Sequence, residues 1–144
     1  MQAGKAVDCY GCDQGHIIEQ FDAGQAYAPA ELKGIEALAA MPDEAWPASW
    51  WNADGTPKYG KTPVCILKQA LYGQPDAGTM WEEHCNAALH RAGFRPVEGW
   101  GSVFYHADLD LMLSIYVDDF KLTGPSEHIQ KGWDLSEVQG IVID

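Results

Sequence analysis

Apolar and β-branched residues run from Leu111 to Val117, two aspartates follow, and Phe120 and Leu122 resume an apolar/polar alternation that Gly124-Pro125 ends. This pattern predicts a hairpin with Asp118 and Asp119 at its tip. Upstream, Ser102–His106 reads as a strand leading through a turn at 108–110 into the Leu111 strand. His16–Asp22 reads as a short strand that ends on an aspartate, and Val64–Leu67 as another. Trp81, Cys85, Ala88, Leu89 and Ala92 form one apolar stripe at helical spacing. Thr79 and Glu82 suit a capping box at its start, and Gly93 suits its end. Residues 29–40 have helix-favouring spacing weakened by Gly34, and Ser126 opens a last helix that Gly132 interrupts. Residues 138–144 read as a truncated strand, and residues 1–16, without a clear period, as a poorly ordered lead-in. Between 42 and 63 four prolines and the tryptophans Trp46, Trp50 and Trp51 suit a connecting loop packed by its own aromatics.

The order of strand, helix, strand, hairpin and helix suits an α/β (α+β) domain. The expected architecture is a ferredoxin-like split βαβ, an antiparallel sheet packed by helices on one face. In such a sheet the first strand can lie beside the hairpin, bringing Asp22 towards Asp118 and Asp119. The chain has 144 residues, 47% of them hydrophobic, which suits one domain with a real core. No apolar run approaches the roughly 18 residues of a membrane-spanning helix, and the N-terminus lacks the apolar centre of a signal peptide. An intracellular protein is expected, cytoplasmic or nuclear, with no membrane partner.

The net charge of -12 argues against a stand-alone nucleic-acid binder, which needs a basic track for phosphates. Cys9 and Cys12 form a C-x-x-C pair with His16 close behind, but Cys65 and Cys85 are scattered. A zinc-binding interaction module on Cys9 and Cys12 is therefore the weaker reading. The adjacent aspartates are the sharper signal. A polar turn between strands would explain them blandly, and Asp22 could simply cap a helical turn. Side by side, however, like charges repel, and a divalent cation reverses that sign because hard cations prefer carboxylate oxygens.

The stretch Val64–Gly73, then Trp81, Gly93-Phe94, Ser102-Val103-Phe104, and Tyr116-Val117-Asp118-Asp119 with Leu122-Thr123-Gly124 resembles the reverse transcriptase domain of copia-type LTR retrotransposons. Gln20–Tyr27 is similar to that family's first catalytic motif, and the likeness covers residues 17–131. It implies an RNA-directed DNA polymerase palm with partial fingers over residues 17–144, without thumb or ribonuclease H. It implies two-metal nucleotidyl transfer, with Asp22, Asp118 and Asp119 as catalytic residues and ligands of two Mg²⁺ ions, Mn²⁺ being the substitute. Tyr27 would exclude a 2′-hydroxyl, although an ordinary packing aromatic fits there too. Tyr72 and Gly73 would lie near the incoming nucleotide, and Tyr116 and Val117 would flank the primer end. The implied partners are an RNA or DNA template–primer, deoxynucleoside triphosphates and the rest of a polyprotein.

The chain departs from the family in two places. Gln74-Pro75-Asp76 puts an acid where the family has a neutral or basic residue, and residues 1–16 supply only Lys5 for the basic fingers strand. The competing expectation is thus a catalytically inactive retroelement remnant, palm-like in fold and without productive nucleic-acid binding.

Overall fold

The computed structural model describes residues 2–24, 26, 32, 36–60, 63–69 and 73–142. Among the described residues, seven strands and three α-helices follow one another as α1 (Gln2–Tyr10), β1 (His16–Asp22), β2 (Leu38–Ala40), β3 (Val64–Ile66), α2 (Ala77–Ala92), β4 (Arg95–Val97), β5 (Trp100–His106), β6 (Leu111–Tyr116), β7 (Asp119–Pro125) and α3 (Ser126–Val138). Five strands form one antiparallel sheet in the order β1-β7-β6-β5-β4, and β2 pairs with β3 separately. The fold is therefore mixed α/β with an antiparallel sheet.

Alternation along the strands sorts the side chains onto two faces. Leu111 and Leu113 of β6 and Phe120 and Leu122 of β7 are buried on one face. They pack there with Trp81, Cys85, Ala88 and Leu89 of α2 and Ile129 and Trp133 of α3. The other face of β7 carries Asp119, Lys121 and Thr123, and α1 lies across it. Lys121 Nζ meets Asp8 Oδ1 at 2.9 Å, and Val7 is fully buried. The expectation of helices on one face alone is thus corrected: α2 and α3 share a face, and α1 covers the opposite one.

Nor are residues 1–16 a poorly ordered lead-in, since Gln2–Tyr10 is helical. Its hold comes from distant partners, so no local period announces it. At its end the Tyr10 hydroxyl donates to Asp110 Oδ1 at 2.5 Å, as does the Tyr105 hydroxyl. These two phenols, Tyr10 first, hold the Asp110 carboxyl below its ordinary range. Burial, and then the bond to Asp110, raise the Tyr10 phenol.

Other sequence expectations are also corrected. Leu38–Ala40 is a strand, not the end of a helix, because it pairs with Val64–Ile66; positions 29–31 and 33–35 of that expected helix lie outside the described residues. Helix α2 starts at Ala77 after Asp76, so Thr79 and Glu82 stand inside it rather than at its cap. Gly132 does not interrupt α3. It is where the helix approaches the sheet, for a Cβ there would lie 2.5 Å from Leu111 Cδ1 and 3.0 Å from Leu122 Cδ2. Beyond Val138 the chain turns instead of forming a strand. Ile141 is buried in the core and Gly24 N–H donates to Val142 O at 2.9 Å, while positions 143–144 lie outside the described residues. In the loop, residues 42–60 keep the expected aromatic packing: the Trp46 ring lies tilted against Trp50 and Trp51, and its indole N–H donates to Met41 O at 2.9 Å.

Two predictions follow the packing. Gly124 has φ 151°, and a Cβ there would meet the Asp110 carbonyl at 2.5 Å. Gly124→Ala therefore destabilises the fold by about 2 kcal/mol in urea denaturation, since neither the carbonyl nor the backbone angle yields cheaply. Asp110, lowered in the fold, contributes stability that is complete above the unfolded carboxylate value of about 3.9 and is lost as pH falls through its folded value. Asp110→Asn flattens the stability profile in that acid window, measured as urea midpoint against pH.

Candidate functional site

The hairpin turn consists of Val117 and Asp118 alone, and Asp119 is the first residue of β7, paired with Tyr116. Val117 adopts φ 60°, whereas Asp118 keeps a negative φ. A positive first central angle suits a hairpin's right-handed twist, but it is a glycine position. For a β-branched residue it costs about 1–2 kcal/mol. One restraint on it is visible: Trp81 of α2 donates its indole N–H to the Val117 carbonyl at 2.7 Å. Trp81 reads in the sequence as one position of an apolar stripe. Its polar edge aimed at the turn carries no signal of its own.

On the other side of β7, β1 runs antiparallel with Asp22 opposite Asp119 and Phe21 opposite Phe120. Ala23 N–H donates to Asp118 O at 2.7 Å. That bond sets the phase of the ladder: Ala23 opposite Asp118 is the hydrogen-bonded position, so Asp22 with Asp119 is the closer, non-hydrogen-bonded kind of pair. Such pairs hold their α-carbons about 4.5 Å apart with both side chains on one face. Asp22 and Asp119 are both exposed, and Asp118 in the turn is half-buried. Early and late aspartates thus meet at the hairpin tip.

Helix α1 borders that face. Ala3 and Gly4 of α1 lie over Gln20, Ser114, Tyr116, Asp119 and Lys121, leaving a cavity of about 350 Å³. A second cavity of about 260 Å³ opens between α2 and the tip, where Trp81, Glu82, Phe104 and Val117 are among its walls. Among the described residues, Lys121 stands two positions from Asp119 on the same face, and Asp8 engages its ammonium. Among the described residues, no group of three or more His, Cys, Asp or Glu side chains is arranged to hold a metal ion. The donor types suit Mg²⁺: carboxylate oxygens on adjacent strands, hard and anionic.

Of the remaining sequence candidates, Tyr116 is 74% exposed at the end of β6, and Val117 is also exposed. Gly73 has φ 89° with open space where a Cβ would stand, so its backbone angle, not a close neighbour within the chain, calls for glycine. Tyr27 and Tyr72 lie outside the described residues. Cys9 and Cys12 are exposed, with Cys12 Sγ donating to Asp8 O at 3.4 Å. Burial, helped by the Glu82 charge, pushes the Cys85 thiol up to about 12, which marks it as a packing residue.

No protein-family model matches the chain, and no solved structure matches it. Among curated proteins, it is 33% identical over 68 residues to the putative transposon Ty5-1 protein YCL074W of Saccharomyces cerevisiae. The match takes in 46% of this chain and 22% of the yeast protein, so the chain spans about a fifth of that relative. The sequence thus bears a partial likeness to a putative transposon protein. Among the described residues, no helix is long and apolar enough to cross a membrane.

Proposed function

We propose that this chain is a palm-like piece of a retrotransposon RNA-directed DNA polymerase, in which Asp22, Asp118 and Asp119 serve as ligands for divalent cations. The single observation that carries this reading is the pairing of Asp22 with Asp119 beside the turn that holds Asp118. Like charges directly opposite each other destabilise a strand pair, and a hard cation turns that liability into binding. Bound Mg²⁺ would neutralise phosphate oxygens and acidify a primer hydroxyl, the chemistry of nucleotidyl transfer. The chain's own residues would orient the reactants. Tyr116 and Val117 would flank the primer end, and Gly73, with Tyr27 and Tyr72, would border the deoxynucleoside triphosphate. Strain at Val117, restrained by Trp81, fits a turn held for a task rather than for stability.

A second reading has its own support. Helix α1 lies on the carboxylate face, Asp8 engages Lys121, and the net charge is -12. Each of these opposes a phosphate backbone. They favour a folded retroelement remnant whose carboxylates still bind cations but which no longer grips a template–primer.

Two measurements on the full chain separate the readings. Titration with Mn²⁺, followed by electron paramagnetic resonance, gives binding that Asp22→Asn and Asp119→Asn each weaken at least about tenfold. Binding that both variants leave unchanged removes the cation site. Primer extension on an RNA template with Mg²⁺ then decides activity. Under the polymerase reading Asp118→Asn lowers incorporation at least about 100-fold. Equal incorporation by parent and variant, with Mn²⁺ binding retained, selects the remnant.

A further inference from the structure

The five-stranded sheet ends in two edges of opposite character. The β4 edge is three residues long, carries Arg95 and Pro96, and breaks register between Pro96 and Val97. A short strand, a charge, a proline and a bulge are each devices that stop another strand from adding. The β1 edge is longer, its acids Glu19 and Asp22 are its only charged side chains, and it has neither proline nor bulge. It runs for seven residues without lysine, arginine or proline, and Ile17, Ile18 and Phe21 are 39%, 42% and 37% exposed. Glu19, the charge at its middle, is turned away to α3, where Trp133 Nε1 donates to its carboxylate at 2.9 Å.

The ladder shows which backbone groups this edge presents. Ser126 N–H donates to Gly15 O, and Ala23 N–H to Asp118 O. Hydrogen bonding alternates along an antiparallel pair, so Gly15, Ile17, Glu19, Phe21 and Ala23 bond inward to β7. The main-chain groups of Ile18, Gln20 and Asp22 therefore face outward.

We propose that β1 docks antiparallel against β1 of a second copy of this chain, continuing the sheet across a two-fold axis at Glu19. In that register Glu19 faces its own copy on the axis, each carboxylate held by its own Trp133 indole, and the flanking positions complement one another. Ile17 faces the second copy's Phe21, Ile18 faces its Gln20, and His16 faces its Asp22, each pair occurring on both sides of the axis. An imidazole thus meets a carboxylate and an aliphatic chain meets an aromatic ring. The neighbouring registers set aliphatic chains against carboxylates: an axis at Ile18 puts Ile17 against Glu19, and one at Gln20 puts Ile18 against Asp22. Ile18 and Gln20 would supply about four main-chain hydrogen bonds across the junction. The guarded β4 edges lie at the two ends of the enlarged sheet, so assembly stops at two copies.

Sedimentation velocity of the full chain over a dilution series tests this. Gln20→Pro removes an outward N–H that the β7 ladder does not use, and Ile18→Lys places an ammonium on the edge while its stem keeps the local packing. The expected result is a parent dimer that dissociates on dilution. Each variant should weaken it at least tenfold while circular dichroism stays at the parent level. A parent that stays monomeric up to about 100 µM overturns the proposal. So does a dimer that Ile18→Lys leaves intact, or open-ended aggregation in place of a dimer. Should Gln20→Pro unfold the chain, Ile18→Lys alone decides, because its position is already exposed.

Discussion

The antiparallel pairing of β1 with β7 is the interaction on which the rest of the structure depends. It joins segments about 100 residues apart, a separation whose closure cost grows only slowly with length. Both ends of the ladder are pinned, at Gly15 with Ser126 and at Ala23 with Asp118, and between them the Thr123 hydroxyl donates to Ile17 O at 2.9 Å. The buried Phe120 and Leu122 fix which face of β7 points to the core. Since side chains alternate, a slip of one residue would turn Asp22 over to the α2–α3 face and away from Asp119. The meeting of the carboxylates is therefore a consequence of core packing, transmitted through strand register.

That register also separates two kinds of surface. Towards α2 and α3 the sheet is apolar; the Trp81 indole there bonds Val117 O and the Trp133 indole bonds Glu19, whereas the buried His106 Nδ1 has no hydrogen-bond partner among the described residues. Towards α1 it carries Asp22, Asp119, Lys121 and the phenol cluster on Asp110. The same helix that completes the fold by burying Val7 and tying Tyr10 to Asp110 also borders the cavity beside Asp119, while Asp22 and Asp119 stay exposed.

How much of this was legible before any coordinates depends on how local the determining physics is. Strands β1, β3, β5, β6 and β7 and helix α2 announce themselves because alternation or helical spacing sits within each segment. The approach of Asp22 to Asp119 was legible too, because one aspartate ends a strand and the other begins the return of a hairpin. Helix α1 was not: Asp8, Tyr10 and Val7 are unremarkable until Lys121, Asp110 and the sheet are beside them. Gly132 misled for a similar reason. Glycine weakens an isolated helix, yet here it admits α3 to within contact of Leu111 and Leu122. The β4 strand, three residues containing a proline, was invisible because only an edge position tolerates it. The closeness of α1 to Asp119 could not be read at all, since it needs α1 and the sheet together.

The most direct measurement is the proton–proton Overhauser effect between the α-protons of Asp22 and Asp119 in the isotopically labelled full chain. A non-hydrogen-bonded antiparallel pair brings these protons into close contact. The pairing described here therefore predicts a strong cross-peak, accompanied by another between Gln20 and Lys121. A missing Asp22–Asp119 peak, with Asp119 instead opposite Phe21 or Ala23, would contradict the register and with it the shared acidic corner.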